Sequence, residues 1–135
     1  MIAVDTSVIV AAFASWHEHH LAARRVLDKN PALIAHCALE SYSVLTRLPP
    51  PHRAPADVVA SFLEARFTKP PLALPAMNHA ALVRLLAERG ITGGAVYDAL
   101  VATTAQHHAV ELVTLDARAE RSYRRIGARF RALLE

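Results

Sequence analysis

Four acidic residues carry the chemistry legible in this chain: Asp5, Glu40, Asp98 and Asp116. Asp5 interrupts an otherwise apolar opening, MIAVDTSVIV. An ionised carboxylate inside a core costs on the order of several kcal/mol unless a metal or a cationic side chain compensates it. The run IAV before Asp5 suits a buried strand, and Asp5 ends it. Asp116 closes ELVTLD two residues after Thr114, so strand alternation puts both side chains on one side near that strand's end. Glu40 stands early in the helix after a second strand, and Asp98 early in the helix after Gly93 and Gly94. Sites in open parallel sheets form beyond the carboxyl ends of the strands. All four acids are therefore expected at one sheet edge. Carboxylates crowded within a few ångströms repel one another and either take up protons or recruit hard divalent cations. Oxygen donors alone favour Mg²⁺ or Mn²⁺. Such an ion can hold a phosphodiester, lower the pKa of a bound water and stabilise charge on a leaving oxygen. The chemistry expected is metal-dependent phosphodiester hydrolysis.

The elements that must position these acids can be read from punctuation and periodicity. After the first strand, Thr6 or Ser7 is expected to cap a helix beginning near Val8. HEHHLAARRVLDKN sets Leu21, Val26 and Leu27 near one helical face, and Asn30 and Pro31 end the pattern. ALIAH is of strand length, and ALESYSVLTRL spaces Leu39, Tyr42, Leu45 and Leu48 by threes as a helix would. The loop PPPHRAP precedes ADVVASFLEARF, whose early Asp57 suits a helix dipole. PLALP is a short, proline-bounded strand candidate. In the helix after it, Ala81, Leu82, Leu85 and Leu86 form an apolar stripe that Gly90 ends. A glycine-marked turn and helix, the strand ELVTLD, the short helix ARAERSYRRIG and a final strand near ARF complete the chain. Such alternation predicts a three-layer α/β/α sandwich around a parallel sheet of four to five strands.

Length and composition bound the rest. A chain of 135 residues fits one domain, 1–135, and can bury a core without disulfides or structural metals. With 53% hydrophobic and 20% charged residues, intrinsic disorder is excluded. The opening apolar stretch lacks a preceding basic residue, contains Asp5 and is too short to span a bilayer, so a soluble cytoplasmic protein is expected. The single Cys37 permits no internal disulfide and suits a reducing compartment. A net charge of +3 is compatible with a polyanionic partner, but only Lys29 and Lys69 of the basic residues are lysines.

AVDTSVIVAAF, the lone Glu in CALESYSVLTRLPPP, YDALVATTAQHHAVELVTLD and the trailing ARAERSYRRIG together resemble a PIN domain, specifically the VapC-type toxins of bacterial toxin–antitoxin pairs. The likeness covers nearly the whole chain, with the acids in the family's order. It implies a small endoribonuclease using Mg²⁺ or Mn²⁺, usually a homodimer, held inactive by a cognate antitoxin. Asp5, Glu40, Asp98 and Asp116 would then be the catalytic, metal-holding acids, with Thr6, Ser7 and Thr114 as polar supports. Hydrolysis by metal-activated water would leave a 5′-phosphate and a 3′-hydroxyl, since no ribose 2′-hydroxyl is needed.

Plainer readings exist for each residue alone. Asp5 suits a helix cap, Asp98 a helix dipole and Glu40 a solvated face; their joint placement points to a shared site. Arg118, Arg121, Arg124 and Arg125 follow Asp116, where a basic face can receive RNA phosphates or simply be solvated. Arg47, two turns beyond Glu40, carries the same two readings. His17 and His20 have chelating spacing but read as solvated surface, as do His107 and His108. Tyr97 is expected in the core, and Trp16 with Phe13 at a dimer or antitoxin interface. Two rivals come from other classes: a receiver-like phosphoacceptor domain, which needs a lysine at the sheet edge, and a catalytically silent interaction module.

Overall fold

The computed structural model describes residues 1–134; Glu135, the last residue of the expected domain, lies outside them. Four strands, β1 (Ile2–Val4), β2 (Ala32–Leu33), β3 (Glu111–Thr114) and β4 (Phe130–Ala132), form one sheet in the order β2-β1-β3-β4. Every pairing is parallel: Ala3 faces Ala32 and Leu112, and Val113 faces Arg131. Among the described residues seven α-helices flank it: α1 (Thr6–Phe13), α2 (His20–Leu27), α3 (Ala35–Thr46), α4 (Ala56–Arg66), α5 (His79–Glu88), α6 (Ala95–His107) and α7 (Ala117–Ile126). The result is an α/β/α sandwich of the expected kind, with four strands. No helix among the described residues is long and apolar enough to cross a membrane.

The central strands are buried on both faces, which is why β1 reads as an apolar run and β3 carries Leu112 and Val113 between Glu111 and a fully buried Thr114. Ala3, Val4, Leu112 and Val113 have no exposed surface and pack with Val8, Ile9, Leu27 and Ala102. A smaller cluster gathers Leu45, Ala54 and Val59, with Phe13 meeting Phe62 edge-on at 5.2 Å. Phe13 is thus partly buried against this cluster. Gly127 closes α7 in the left-handed region at φ 87°, where its N–H reaches the Tyr123 and Arg124 carbonyls and starts the turn into β4.

Local structure departs from expectation in places, each with a physical reason. PLALP is no strand: only Leu72 pairs, bridging Ile34, while Pro70, Pro71 and Pro75 offer no N–H to a ladder. The N-cap of α1 is Asp5 itself, not Thr6 or Ser7. On α3 the buried face runs Cys37, Ser41, Leu45, and Leu39 and Tyr42 face solvent. Two small residues let α3 approach α1 closely, and that contact outweighs the larger apolar side chains on the other face. Leu21 of α2 is likewise exposed, the buried positions being Ala23, Val26 and Leu27.

Candidate active site

Beyond the carboxyl ends of β1 and β3 the backbone turns straight into helices, and both turns are capped by an acid. Asp5 caps α1: its Oδ1 accepts the Ser7 N–H at 3.1 Å, the Ser7 hydroxyl at 2.5 Å and the Val8 N–H at 3.4 Å. Its Oδ2 accepts the Tyr123 hydroxyl at 2.7 Å. The compensation that a buried Asp5 requires therefore comes from neutral donors, not from a cationic side chain. Burial still pushes its carboxyl above the ordinary range, while the Ser7, Thr114, Tyr123 and Val8 donors pull it back. Asp116 caps α7 in the same manner, accepting the Arg118 N–H at 2.9 Å and the Ala119 N–H at 3.4 Å.

The three predicted hydroxyls tie these turns together. Ser7 Oγ donates to Asp5 and accepts the Leu115 N–H at 2.8 Å, joining the ends of β1 and β3. Thr114 Oγ1 accepts the Asp116 N–H at 3.0 Å and lies 3.4 Å from Ser7 Oγ. Thr6 donates its hydroxyl to Glu40 Oε1 at 2.5 Å, holding the α3 acid against the start of α1. Glu40 sits mid-helix rather than early in α3, and His36 one turn before it stands 3.8 Å from Oε2. His36 stacks nearly parallel to Tyr97 at 5.3 Å, and Tyr97 is exposed instead of being a core residue.

Asp98, in the first turn of α6, is where the crowding is felt most. Its carboxyl is pushed up to about 6, first by burial and then by the negative charges of Asp116, Glu40 and Asp5; Arg118 acts in the opposite sense. Four acids from four segments thus share one field. All four line a single hollow of about 30 Å³, with Thr6 and Tyr123 among its other walls. That is room for a species of about the size of a water molecule. A wider cleft of about 560 Å³ opens above it, bordered by His17, Glu18 and His19 on one side and Arg118 on the other. A neighbouring groove of about 530 Å³ runs past Asp98 and Asp116 along Arg118, Arg121 and Arg125. Arg124 points elsewhere, its guanidinium lying 5.3 Å over the Phe130 ring. Arg47 ends α3 and donates to Ser43.

Whether the hollow suits a cation is a question of donors. Its acids offer hard carboxylate oxygens, and the Cys37 thiol beside them is kept protonated by burial, so no soft thiolate competes. This set fits Mg²⁺ or Mn²⁺. Among the described residues no three acids, histidines or cysteines stand close enough to form a ready-made cage. An ion there would keep several of its waters, as Mg²⁺ commonly does. Residues 2–125 match the PIN domain pattern.

The chain belongs to the PIN domain family. It is similar to Ribonuclease VapC40 of Mycobacterium tuberculosis strain CDC 1551 / Oshkosh, 52% identical over 126 residues that cover 93% of this chain and 94% of the relative. The protein of the same name from strain ATCC 25618 / H37Rv matches to the same extent. Ribonuclease VapC27 of that strain is 47% identical over 128 residues, covering 93% of this chain and 92% of the relative. A receiver-like reading fails on its lysine: Lys29 follows α2 at the opposite end of the sheet, and Lys69 borders a separate depression with Asn30 and Arg66.

Sequence reasoning named the four acids that line this hollow and the hydroxyls bonded beside them but passed over Tyr123. The signal was present: Tyr123 is the one aromatic in the basic helix ARAERSYRRI, seven residues after Asp116 and so on the same helical face. The His17–His19 segment, read as plain surface, borders the cleft.

Proposed function

We propose that this PIN domain is the toxin of a toxin–antitoxin pair, an endoribonuclease that hydrolyses RNA phosphodiester bonds with Mg²⁺ or Mn²⁺. The observation that carries the reading is the common lining of one small hollow by Asp5, Glu40, Asp98 and Asp116, beside a cleft of about 560 Å³ that shares those acids except Asp5. The relatives named ribonucleases, similar over more than nine-tenths of the chain, support the same class of activity.

In this reading the four carboxylates hold the ion. A bound divalent ion supplies an acidified water and neutralises charge on the leaving oxygen. Thr6 and Ser7 orient Glu40 and Asp5 for it through the bonds described. Arg118, Arg121 and Arg125 bind phosphates on either side of the cleaved bond, so the strand lies along the groove they line. Arg124, engaged with Phe130, contributes less. The domain spans 1–135, acts in the cytoplasm, pairs as a homodimer and is restrained by a cognate antitoxin protein.

Incubating labelled RNA with purified protein in Mg²⁺, in Mn²⁺ and in excess chelator tests this. Cleavage is expected only with the ions and is expected to vanish in Asp5→Asn. Cleavage that persists in chelator would overturn the proposal. Binding of a partner protein by a chain that cuts no RNA would favour the silent interaction module instead.

A further inference from the structure

We propose that Tyr123 is a positioning residue that aims Asp5 Oδ2 into the hollow shared by the four acids; this rests on the metal-site reading above. Asp5 Oδ1 is saturated, with three donors from the first turn of α1. An ionised carboxylate offers roughly two acceptor directions per oxygen. Among the described residues Oδ2 accepts one direct hydrogen bond, from the Tyr123 hydroxyl at 2.7 Å, against three on Oδ1, and the Thr114 hydroxyl, which also favours the ionised carboxylate, is engaged with the Asp116 N–H; Oδ2 is therefore the oxygen with a direction left for an ion. Tyr123 also walls that hollow, so the hydroxyl and the free direction of Oδ2 belong to the same small space.

The tether is long in sequence and rigid in space. It spans 118 positions, from α7 back to the cap of α1. Tyr123 is 1% exposed, meets Phe130 edge-on at 6.0 Å and lies one turn before the glycine that ends α7. Its ring has no freedom to follow a wandering carboxylate, so the carboxylate follows the ring. Partners that orient a ligand in this way typically govern metal affinity by about 10- to 100-fold.

Calorimetric titration of Mn²⁺ into the full chain and into Tyr123→Phe tests this directly. Phe keeps the ring and removes only the hydroxyl. Mn²⁺ is expected to bind Tyr123→Phe about tenfold more weakly, with KM for RNA unchanged. A purely structural tyrosine would lower the melting temperature and leave the Mn²⁺ affinity alone. Equal affinity in the two proteins overturns the positioning role while leaving the metal site standing; a wild type that takes up no Mn²⁺ overturns both. Should Phe at this position prevent folding, ultraviolet difference absorption of a Tyr97→Phe chain during Mg²⁺ titration serves instead. A saturating perturbation of the buried tyrosine band supports the role, and an unperturbed band overturns it.

Discussion

The Thr6 hydroxyl donates to Glu40 Oε1 at 2.5 Å, linking the first residue of α1 to the middle of α3 across 34 positions. This bond fixes the one candidate acid that does not stand at a strand end or a helix start. Thr6→Val keeps the side-chain shape and removes the donor. Turnover on RNA is expected to fall by about tenfold, since outer partners of ligands commonly carry that much. Melting temperature is expected to move by only a few degrees, because Thr6 is only partly buried. Unchanged turnover would show that Glu40 needs no such support.

The pH dependence follows from Asp98, whose carboxyl is pushed up to about 6 from its ordinary 3.8. A raised carboxyl binds its proton more tightly folded than unfolded. Its contribution to stability is therefore complete below the unfolded value and is lost as pH rises through the folded one. The metal-free wild type is expected to lose stability relative to Asp98→Asn between about pH 4 and pH 6. Melting curves of both proteins across that window check the sign.

Divalent ions should reverse that loss. An ion binding only the folded chain adds about 2.7 kcal/mol at a hundredfold excess over its Kd. Mg²⁺ affinity is expected to rise with pH through about 6, with proton release near that value, because the ligand must be ionised. Calorimetry in buffers of different ionisation enthalpy reads the released protons. Binding that is independent of pH between 5 and 7 would count against Asp98 as a ligand.

The faces of α3 give a stability contrast. Leu45→Ala empties a position that is 1% exposed and is expected to cost roughly 2–5 kcal/mol. Leu39→Ala, at 74% exposure, is expected to stay within about 0.5 kcal/mol. Chemical denaturation of the two variants checks the difference, and equal costs would mean that Leu39 is covered in solution by another chain.

That contrast also marks the limit of what periodicity could tell. Leu39, Tyr42, Leu45 and Leu48 read as a stripe, yet the buried face follows Cys37 and Ser41, because close helix approach rewards small residues that hydropathy ignores. Parallel alternation, by contrast, was plain: β1 is apolar throughout and β3 is apolar at its centre, as strands covered on both faces are. Asp5, Asp98 and Asp116 were legible because strand ends and helix starts are fixed by local sequence, whereas Glu40 was placed too early in its helix. Tyr123 showed locally only as the one aromatic on the Asp116 face of α7; that it reaches Asp5, 118 positions away, no local pattern encodes. PLALP failed as a strand for want of donors, a count that its prolines carried openly.

The chemistry of the cut ends tests the metal-site account most directly. RNA cleaved by wild type in Mg²⁺ is expected to carry a 5′-phosphate and a 3′-hydroxyl, and Asp98→Asn is expected to produce neither above background. Ends bearing a 2′,3′-cyclic phosphate, or wild-type rates from Asp98→Asn, would contradict it.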